Sequence, residues 1–455
     1  MTGAPLALRG PAFGFRHNPF EADPDGALAH WPDALVVMQG GRITALGDHA
    51  AERPRHPEDM PVHHYPDAVI GPGFVDTHVH YPQMEMTGAY GETLLDWLAR
   101  YTYPTEAGFA DPAHCARIAA LFLRALLRAG TTTAAVYCTV HEHSADALFA
   151  EAARLGLRIV AGKVLMDRNA PPELRDGEDH GIPATRRLIA RWHGRGRLLY
   201  AITPRFAPAC TGAALEAAGR LWHENPGTLV QTHLCETEEE IAWVRELFPD
   251  SPSYLDVYAR AGLAGPRAVM GHAVHVTEGD LSALRETGCG VAHCPSSNLF
   301  LGSGLFRLHD AAAAGVRVGL GSDVGAGTGL SALRTLGDAY KVARLRGARL
   351  HPAQAFWLAT RGGAAALRLE DRIGNLAAGM EADLVVLDPQ ATPELALRTG
   401  RSPGLADTLF ALTTLGDERA VRATYVAGRL AHDRDAPAEE RPARPVGSGR
   451  LPGEG

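Results

Sequence analysis

The chain has 455 residues, 46% of them hydrophobic, and a formal net charge of −8 with acidic and basic residues interspersed. This is enough for one large globular domain and a smaller one, and the negative charge argues against a nucleic-acid partner. No run of about 18 or more apolar residues occurs, so the sequence predicts no membrane span.

The cysteines and the N-terminus both favour a cytoplasmic location. None of the six cysteines forms a CxxC pair, so we predict reduced thiols rather than a disulfide framework. Residues 1–5 lack the basic-then-apolar pattern of a signal peptide.

In chain order, the first 69 residues contain short strand-like segments separated by turn residues, at Leu6–Arg9, Ala34–Met38 and Arg42–Leu46. From residue 70, short apolar strands alternate with longer helical segments rich in Ala, Leu and Arg. The eight predicted strands are Gly73–His80, Thr132–Cys138, Arg158–Asp167, Leu198–Phe206, Thr228–Glu236, Ala268–Val274, Gly290–Ser297 and Val316–Val324. Eight strand–helix units in one region predict an α/β fold with a (β/α)8 TIM-like barrel.

After residue 375 the strand pattern returns at Ala382–Leu387 and Val421–Leu430, with no helix predicted between them. We expect these strands to join the N-terminal ones in a small β-sandwich domain beside the barrel. The C-terminal tail is rich in Pro, Gly, Arg and Glu and is expected to be mobile. The predicted segments are 1–69 and 373–432 for the small domain, 70–372 for the barrel and 433–455 for the tail.

The first predicted barrel strand ends in His78 and His80. Because side chains alternate along a strand, these two imidazoles point to the same side. Imidazole nitrogen binds zinc at about 2.0–2.1 Å, and a metal held there could generate hydroxide from water near neutral pH. The pair therefore indicates the start of a hydrolase site.

Further polar residues lie at the ends of later strands, and in such a barrel these ends face one shared pocket. His78, His80, His233 and Asp323 form a candidate shell for a divalent metal that leaves room for a water molecule. His272 could orient that water and help to take its proton. Glu236 could move protons to and from a substrate ring nitrogen.

Some of these residues have plainer interpretations. The chain contains 21 histidines, and a lone histidine is more often a surface or core residue than a ligand. We interpret His275 and His293 as structural. For Arg205, an ion pair is the alternative to substrate binding.

Taken together, these residues resemble the amidohydrolase superfamily of metal-dependent hydrolases, over nearly the whole chain. The segment 373–384 is similar to the superfamily's return into its small β domain. A narrower resemblance, to the members that deaminate guanine, is carried by the segments His80–Gln83, Trp97–Glu106, Lys163–Asn169, Thr203–Phe206, His293–Asn298 and Gly321–Gly325.

The resemblance implies hydrolytic deamination of guanine to xanthine and ammonia, with zinc on the shell described above. It implies catalytic roles for Glu236, His272 and Asp323, with hydroxide attacking C2 and Glu236 protonating the adjacent ring nitrogen. The implied substrate-binding residues are His80, Tyr81, Pro82, Gln83, Arg205, Phe206, His233, Glu236 and Asp323. Gln83 can donate and accept, Arg205 can donate to a carbonyl oxygen, and Phe206 can pack on a ring face.

We predict one catalytic metal per chain, because strand four offers Arg205 where two-metal superfamily members carry a carboxylated lysine. Lys163 and Lys341, the two lysines of the chain, lie elsewhere in the pattern. Zinc is implied by the resemblance, although Fe²⁺ or Mn²⁺ suits the same ligands. The implied partners are a small purine and a second copy of the chain, with no nucleic acid and no membrane.

Several alternatives stay open at this point. A different aminopurine, a pterin or an aminotriazine would fit the same machinery. A non-catalytic metal-binding or purine-binding protein is disfavoured because the full set of candidate catalytic residues is present. A cyclic-amide hydrolase is disfavoured by the missing strand-four lysine. The cytidine-deaminase design requires P-C-x-x-C, which the sequence lacks.

Overall fold

The computed structural model of the protein describes residues 4–90, 93–177 and 179–436. Its strands are β1 (Leu6–Phe15), β2 (Leu28–Gln39), β3 (Arg42–Asp48), β4 (Val62–His64), β5 (Val69–Pro72), β6 (Phe74–His80), β7 (Thr131–Tyr137), β8 (Arg158–Gly162), β9 (Val164–Leu165), β10 (Leu199–Pro204), β11 (Leu229–Leu234), β12 (Ala268–His272), β13 (Gly290–His293), β14 (Arg317–Leu320), β15 (Leu384–Leu387), β16 (Val421–Val426) and β17 (Arg429–Asp433).

Its α-helices are α1 (Pro24–Ala27), α2 (His49–Glu52), α3 (Leu94–Trp97), α4 (Tyr103–Ala107), α5 (Pro112–Arg128), α6 (Glu142–Leu155), α7 (Ile182–Trp192), α8 (Gly212–Glu224), α9 (Glu238–Leu247), α10 (Tyr254–Arg260), α11 (Glu278–Thr287), α12 (Pro295–Phe300), α13 (Leu308–Ala313), α14 (Ala332–Leu345), α15 (Pro352–Leu358), α16 (Arg361–Ala366), α17 (Pro393–Thr399) and α18 (Leu405–Leu415). Short 3₁₀ segments occur at Arg53–Arg55, Tyr81–Met86, Gly108–Ala110, Pro172–Leu174, Ala207–Ala209 and Glu418–Ala420, and a π-helical turn at Leu98–Thr102.

The central sheet is a nearly closed barrel of parallel strands in the order β6-β7-β8-β10-β11-β12-β13-β14. Helices connect successive strands, as parallel pairing requires. The first and last strands lie side by side, where Thr77 Oγ1 donates to the Leu320 carbonyl at 3.0 Å. The predicted (β/α)8 barrel is confirmed.

A second sheet draws strands from both ends of the chain, as predicted. Its order is β17-β16-β15-β5-β1-β2-β3, with β4 paired to β1. Its apolar side chains form a cluster that includes Leu8, Val36, Ile70 and Leu384, all fully buried. This sheet therefore has an apolar cluster of its own, while other residues of it, such as Phe13, Val385 and Val426, belong to the same cluster as the barrel core.

Two predicted barrel strands are wrong in extent. The third, predicted as one strand to Asp167, breaks at Lys163, whose backbone N–H donates to Tyr200 Oη at 3.2 Å instead of joining the ladder. The seventh stops at His293, and Pro295 begins a helix. Proline is favoured at the first helical position, where its missing N–H has no intrahelical partner to lose.

Four further barrel strands also end earlier than predicted. Those predicted to reach Phe206, Glu236, Val274 and Val324 stop at Pro204, Leu234, His272 and Leu320. Residues such as Glu236 and Asp323 therefore lie in the loops that follow the strands. Hydrophobic pattern does not show where a ladder stops pairing, because some of the loop residues that follow, such as Phe206, Cys235 and Val274, are buried and apolar like strand residues.

The small sheet departs from prediction in two places. Strand β1 continues through Gly10 to Phe15, because a bulge absorbs the Gly10-Pro11 break that the sequence seemed to impose. Helices α17 and α18 separate β15 from β16, where no helix was predicted. Helix α18 buries Leu409 and Leu412 and packs on α14 and α15, so its apolar residues belong to the barrel's outer layer.

The chain termini and cysteines complete the description. All six cysteines are buried and unpaired. Asp433, predicted to begin the mobile tail, ends strand β17, and residues 437–455 lie outside the described residues. Within the described residues, no helix is long and apolar enough to cross a bilayer.

Candidate functional site

Three histidines and one carboxylate meet at the C-terminal end of the barrel. His80 Nε2 and His233 Nε2 are 3.2 Å apart. Asp323 Oδ1 lies 3.4 Å from His78 Nε2 and 3.5 Å from His80 Nε2. Ligand atoms of the three histidines all lie within 4.8 Å of one another. The structure thus brings together the four residues predicted as metal ligands.

The ionisation states of these groups suit a divalent cation. Burial lowers the pKa of all three histidines, so each presents a neutral ring nitrogen. Burial opposes ionisation of Asp323, but His78 and His272 outweigh it and lower its pKa to about 2. Neutral imidazoles with one carboxylate are a donor set that zinc and similar metals prefer.

Missing hydrogen bonds point the same way. Both ring nitrogens of the buried His78 have no hydrogen-bond partner among the described residues. An unpaired buried polar group is costly, so such groups normally mark a ligand or ion that supplies the partner. The donor set and the unpaired His78 nitrogens together show that these residues fit a bound metal.

The backbone at the site is strained. Cys235, His272 and Asp323 have φ values of 49°, 66° and 47°, in the left-handed region that residues other than glycine rarely occupy. Each such residue costs about 1–3 kcal/mol, and such residues cluster at functional sites. The turn at Asp323 is held because its N–H donates to the His78 carbonyl at 2.9 Å.

Glu236 lies beside this cluster with its carboxyl group buried. Its Oε1 accepts from Ser303 Oγ at 3.3 Å, and its Oε2 lies 3.5 Å from His272 Nε2. Burial raises the pKa of Glu236 to about 7. A carboxyl group with that pKa can both give and take a proton near neutral pH.

His272 is held by a residue that sequence reasoning did not assign. Its Nδ1 faces Asn298 Oδ1 on α12 at 2.9 Å, and because a carbonyl oxygen only accepts, Nδ1–H donates. This directs Nε2 toward Asp323 Oδ2, 3.8 Å away. Burial lowers the pKa of His272, but Glu236 and Asp323 outweigh it and the net pKa is raised. Nε2 is therefore the nitrogen that faces the carboxyl groups of Asp323 and Glu236.

A cavity of about 420 Å³ opens over the cluster. Its lining includes seven residues predicted to bind substrate, namely His80, Gln83, Arg205, Phe206, His233, Glu236 and Asp323, together with His272. Unassigned by sequence are the lining residues Leu94, Trp97, Leu98, Glu240, Leu301 and Ala326. Apolar side chains beside convergent polar groups are typical of a site for a small polar molecule.

Two predicted substrate contacts are not among the residues that line the cavity. The Tyr81 ring packs in the core against Phe109 and Phe122, and its hydroxyl donates to the Ser144 carbonyl at 2.8 Å. The Tyr81 side chain therefore belongs to the core, and its assignment to substrate binding stays a prediction. Pro82 is buried near the start of a 3₁₀ turn, where its fixed φ suits the bend that precedes Gln83.

Arg205 makes the ion pair that was its alternative interpretation and also lines the cavity. Its Nη1 donates to Glu106 Oε1 and Oε2 at 2.9 and 2.7 Å. Glu106 was not predicted as a site residue, because nothing in its local sequence shows a partner 99 positions away. Two roles for one side chain are compatible, since a guanidinium carries five N–H donors.

Lys163 is occupied elsewhere. Its buried Nζ donates to Asp176 Oδ1 at 2.5 Å and to the Val164 carbonyl at 3.0 Å. It takes no part in the histidine cluster, so its ion pair is compatible with the predicted single metal.

Comparison with known proteins agrees with this geometry. The model of the amidohydrolase family matches residues 69–431. Guanine deaminase of Escherichia coli K12 is 49% identical over 409 residues, covering 90% of this chain and 93% of that protein. The solved structure of E. coli guanine deaminase superposes with a TM-score of 0.93 at 47% identity, covering 94% of this chain and 100% of the other.

A third relative carries a ligand. The crystal structure of guanine deaminase from C. acetobutylicum, with guanine bound in its active site, superposes with a TM-score of 0.85 at 26% identity. The match covers 94% of this chain and 99% of that one.

Proposed function

The chain belongs to the amidohydrolase family, and from this premise we propose that it hydrolyses guanine to xanthine and ammonia. The observation that carries the proposal is the meeting of His78, His80, His233 and Asp323 beneath a cavity whose wall holds Glu236. The 49% identity to a guanine deaminase favours guanine over the other candidate substrates, which are different aminopurines, pterins and aminotriazines.

The four residues of the cluster would hold one divalent ion per chain, zinc by the resemblance to metal-dependent hydrolases. When bound, such an ion supplies Lewis-acid activation of a water molecule near neutral pH. The single-metal proposal is supported by Arg205 following strand β10, where a bridging lysine would otherwise be expected, and by the ion pair that engages Lys163.

Proton transfer falls to three side chains. Asp323 and His272 Nε2 are placed to take the proton of the water that adds at C2 of guanine. Glu236 gives a proton to the neighbouring ring nitrogen, which allows C2 to become tetrahedral. The amino group then receives a proton through Asp323 or Glu236 and leaves as ammonia, so that water and guanine yield xanthine and ammonia.

Substrate binding uses the cavity wall. Phe206, 4% exposed, offers a ring face to a flat purine. Arg205 offers N–H donors to the carbonyl oxygen of the six-membered ring. Gln83 lies on the same wall and hydrogen-bonds at the ring edge.

The cellular context is part of the proposal. Six unpaired buried thiols support a reducing, cytoplasmic compartment. The resemblance supports a homodimer, which light scattering of the purified chain measures directly.

The test is purified protein with guanine, followed by xanthine and ammonia formation, with metal content measured on the same sample. We expect xanthine to form, one ion per active chain, loss of activity with a chelator and recovery with added zinc. A panel of adenine, a pterin and an aminotriazine is the specificity control. Ammonia from one of these without xanthine from guanine would overturn the substrate, and two ions per active chain would overturn the single metal.

A further inference from the structure

Glu106 is a fully buried carboxylate that joins two substrate-binding side chains. It lies on α4, and its side chain is 1% exposed. Arg205 Nη1 donates to both of its oxygens, and Gln83 Nε2 donates to Oε1 at 3.1 Å. It is not among the residues that line the cavity. Any effect of Glu106 on substrate must therefore act through Arg205 and Gln83.

The carboxylate fixes which end of the Gln83 amide faces it. An ionised carboxylate only accepts hydrogen bonds, so the NH₂ group of Gln83 must point toward it. Both carboxylate oxygens also accept from the Arg205 guanidinium. Gln83 Oε1, an acceptor, is consequently the end left for substrate.

The same contact determines what Arg205 presents. Its Nη1 is used by Glu106, and among the described residues Nε and Nη2 make no other hydrogen bond. Those remaining groups only donate. The cavity wall therefore offers a donor from Arg205 beside an acceptor from Gln83.

Gly325 leaves room for this arrangement. A Cβ built at Gly325 would lie 2.3 Å from Gln83 Oε1 and 2.6 Å from Gln83 Cβ, closer than real atoms approach. The φ of Gly325 is +120°, which other residues rarely adopt. The loop after Asp323 thus has the one residue type that permits the Gln83 side chain to lie where Glu106 holds it.

We propose that Glu106 is a positioning residue that sets selectivity for a purine carrying a 6-oxo group beside N1–H. Arg205 donates to the oxygen and Gln83 Oε1 accepts from N1–H, an order that Glu106 prevents from reversing. The proposal rests on the proposed guanine deamination and adds the origin of its selectivity.

A 6-amino purine presents the opposite pattern. In 2,6-diaminopurine the 6-amino group donates toward Arg205, also a donor, and N1 meets the Gln83 oxygen, also an acceptor. Hydrolysis at its C2 would release ammonia as guanine does, so both substrates can be followed by the same assay. Unpaired or opposed polar groups in a buried site are the strongest means of rejecting a close analogue.

The experiment is Glu106→Gln, with kcat and KM measured for guanine and for 2,6-diaminopurine. An amide at position 106 both donates and accepts, so the Gln83 amide becomes free to turn. We expect kcat/KM for guanine to fall about ten- to a hundredfold, chiefly through KM, while the value for 2,6-diaminopurine stays unchanged or rises. The ratio of the two values therefore falls by at least about tenfold.

The matched control is Glu85→Gln, which removes an exposed carboxylate two residues after Gln83 and should leave the ratio unchanged. A Glu106→Gln variant that loses activity equally on both substrates, with its ratio intact, would show a purely structural role and overturn the proposal. Wild-type protein inactive on guanine would instead overturn the proposed function.

A second measurement uses the wild-type protein and tests the donor–acceptor order of Arg205 and Gln83 even if Glu106→Gln does not fold. Hypoxanthine and adenine lack the 2-amino group and differ at the edge that Arg205 and Gln83 contact. We expect hypoxanthine to inhibit wild-type guanine deamination at least about tenfold more strongly than adenine. Equal inhibition by the two would overturn the fixed donor–acceptor order.

Discussion

The two ends of the barrel both bury ionisable side chains, but they differ in whether those side chains have hydrogen-bond partners. At the C-terminal end, His78, His80 and His272 have buried ring nitrogens that find no hydrogen-bond partner among the described residues. At the N-terminal end, Arg158 and Arg197 pair with acidic residues at 381 and 383, just before strand β15. The histidines at one end have unpaired ring nitrogens, whereas the two arginines at the other end are paired with carboxylates.

The ion cluster at the N-terminal end joins the two sheets. Arg158 begins barrel strand β8, and its Nε donates to Glu381 Oε2 at 2.9 Å. Arg197 Nε donates to the same oxygen at 2.9 Å and Arg197 also pairs with Asp383. The unpaired ring nitrogens therefore lie where we propose that a metal and substrate bind, and the paired charges at the other end connect the barrel to the small sheet.

The largest effect that separates the two ends is expected for Glu236→Gln. Replacing the carboxyl group removes proton transfer but leaves the histidine cluster intact, so turnover should fall by about 10²–10⁴-fold. Metal content per chain and the thermal midpoint should stay close to wild type. Steady-state kinetics and elemental analysis of the same preparation measure both.

The control for this prediction is Glu239→Gln, an exposed carboxylate three residues along the same segment. It should retain wild-type turnover. Near-normal activity in Glu236→Gln would remove Glu236 from the mechanism, and loss of metal would show that it supports the cluster instead.

The residues that meet at the candidate site could be predicted from the sequence, because the prediction depends only on residue type and on position at a strand end. His78 and His80 alternate on one strand, and His233, His272 and Asp323 follow later strands, so barrel topology alone brings them together. Glu106 and Asn298 were not predicted. Their contacts, with Arg205 at a separation of 99 positions and with His272 at a separation of 26, are not visible in any local sequence pattern.

The barrel architecture was predicted correctly, but several strand ends and peripheral helices were not. Apolar alternation located the barrel strands, yet it extended the third through Lys163 and the seventh into α12. It also missed α18, whose apolar residues follow a helical period but pack outside the barrel. Strand ends and peripheral helices depend on tertiary partners, which local pattern does not encode.

The ion cluster should affect stability rather than catalysis. In Glu381→Gln the buried Arg158, 2% exposed, loses its charged partner. Breaking a buried ion pair on one side costs about 3–5 kcal/mol, so the free energy of unfolding should fall by that order. Denaturant unfolding measures the loss, while kcat at a permissive temperature should change less than about twofold.

The control is Glu394→Gln, an exposed carboxylate in the first turn of α17. We expect its unfolding free energy to lie within about 0.5 kcal/mol of wild type. A Glu381→Gln variant as stable as the wild type would show that the ion cluster does not contribute to stability. A variant that folds normally but loses turnover would contradict the assignment of this end to stability rather than catalysis.

The smallest effect is the acid dependence of that stability. Burial opposes ionisation of Glu381, but Arg158 and Arg197 outweigh it and lower its pKa in the folded state. A lowered folded pKa gives stability that is fully present above the unfolded value of about 4.3 and is lost as pH falls through the folded value. In that window the unfolded chain binds more protons at this position than the folded one, so wild-type stability should fall faster with acid than that of Glu381→Gln, by at most about 1.4 kcal/mol per pH unit. Protonation of the histidine cluster also destabilises the metal-loaded protein in acid, but it acts equally in both proteins and cancels in the difference.

The measurement is the free energy of unfolding of the two proteins from pH 6 to about pH 3. The two values should converge as the pH falls, and a constant difference would mean that Glu381 is not held ionised by its two arginines.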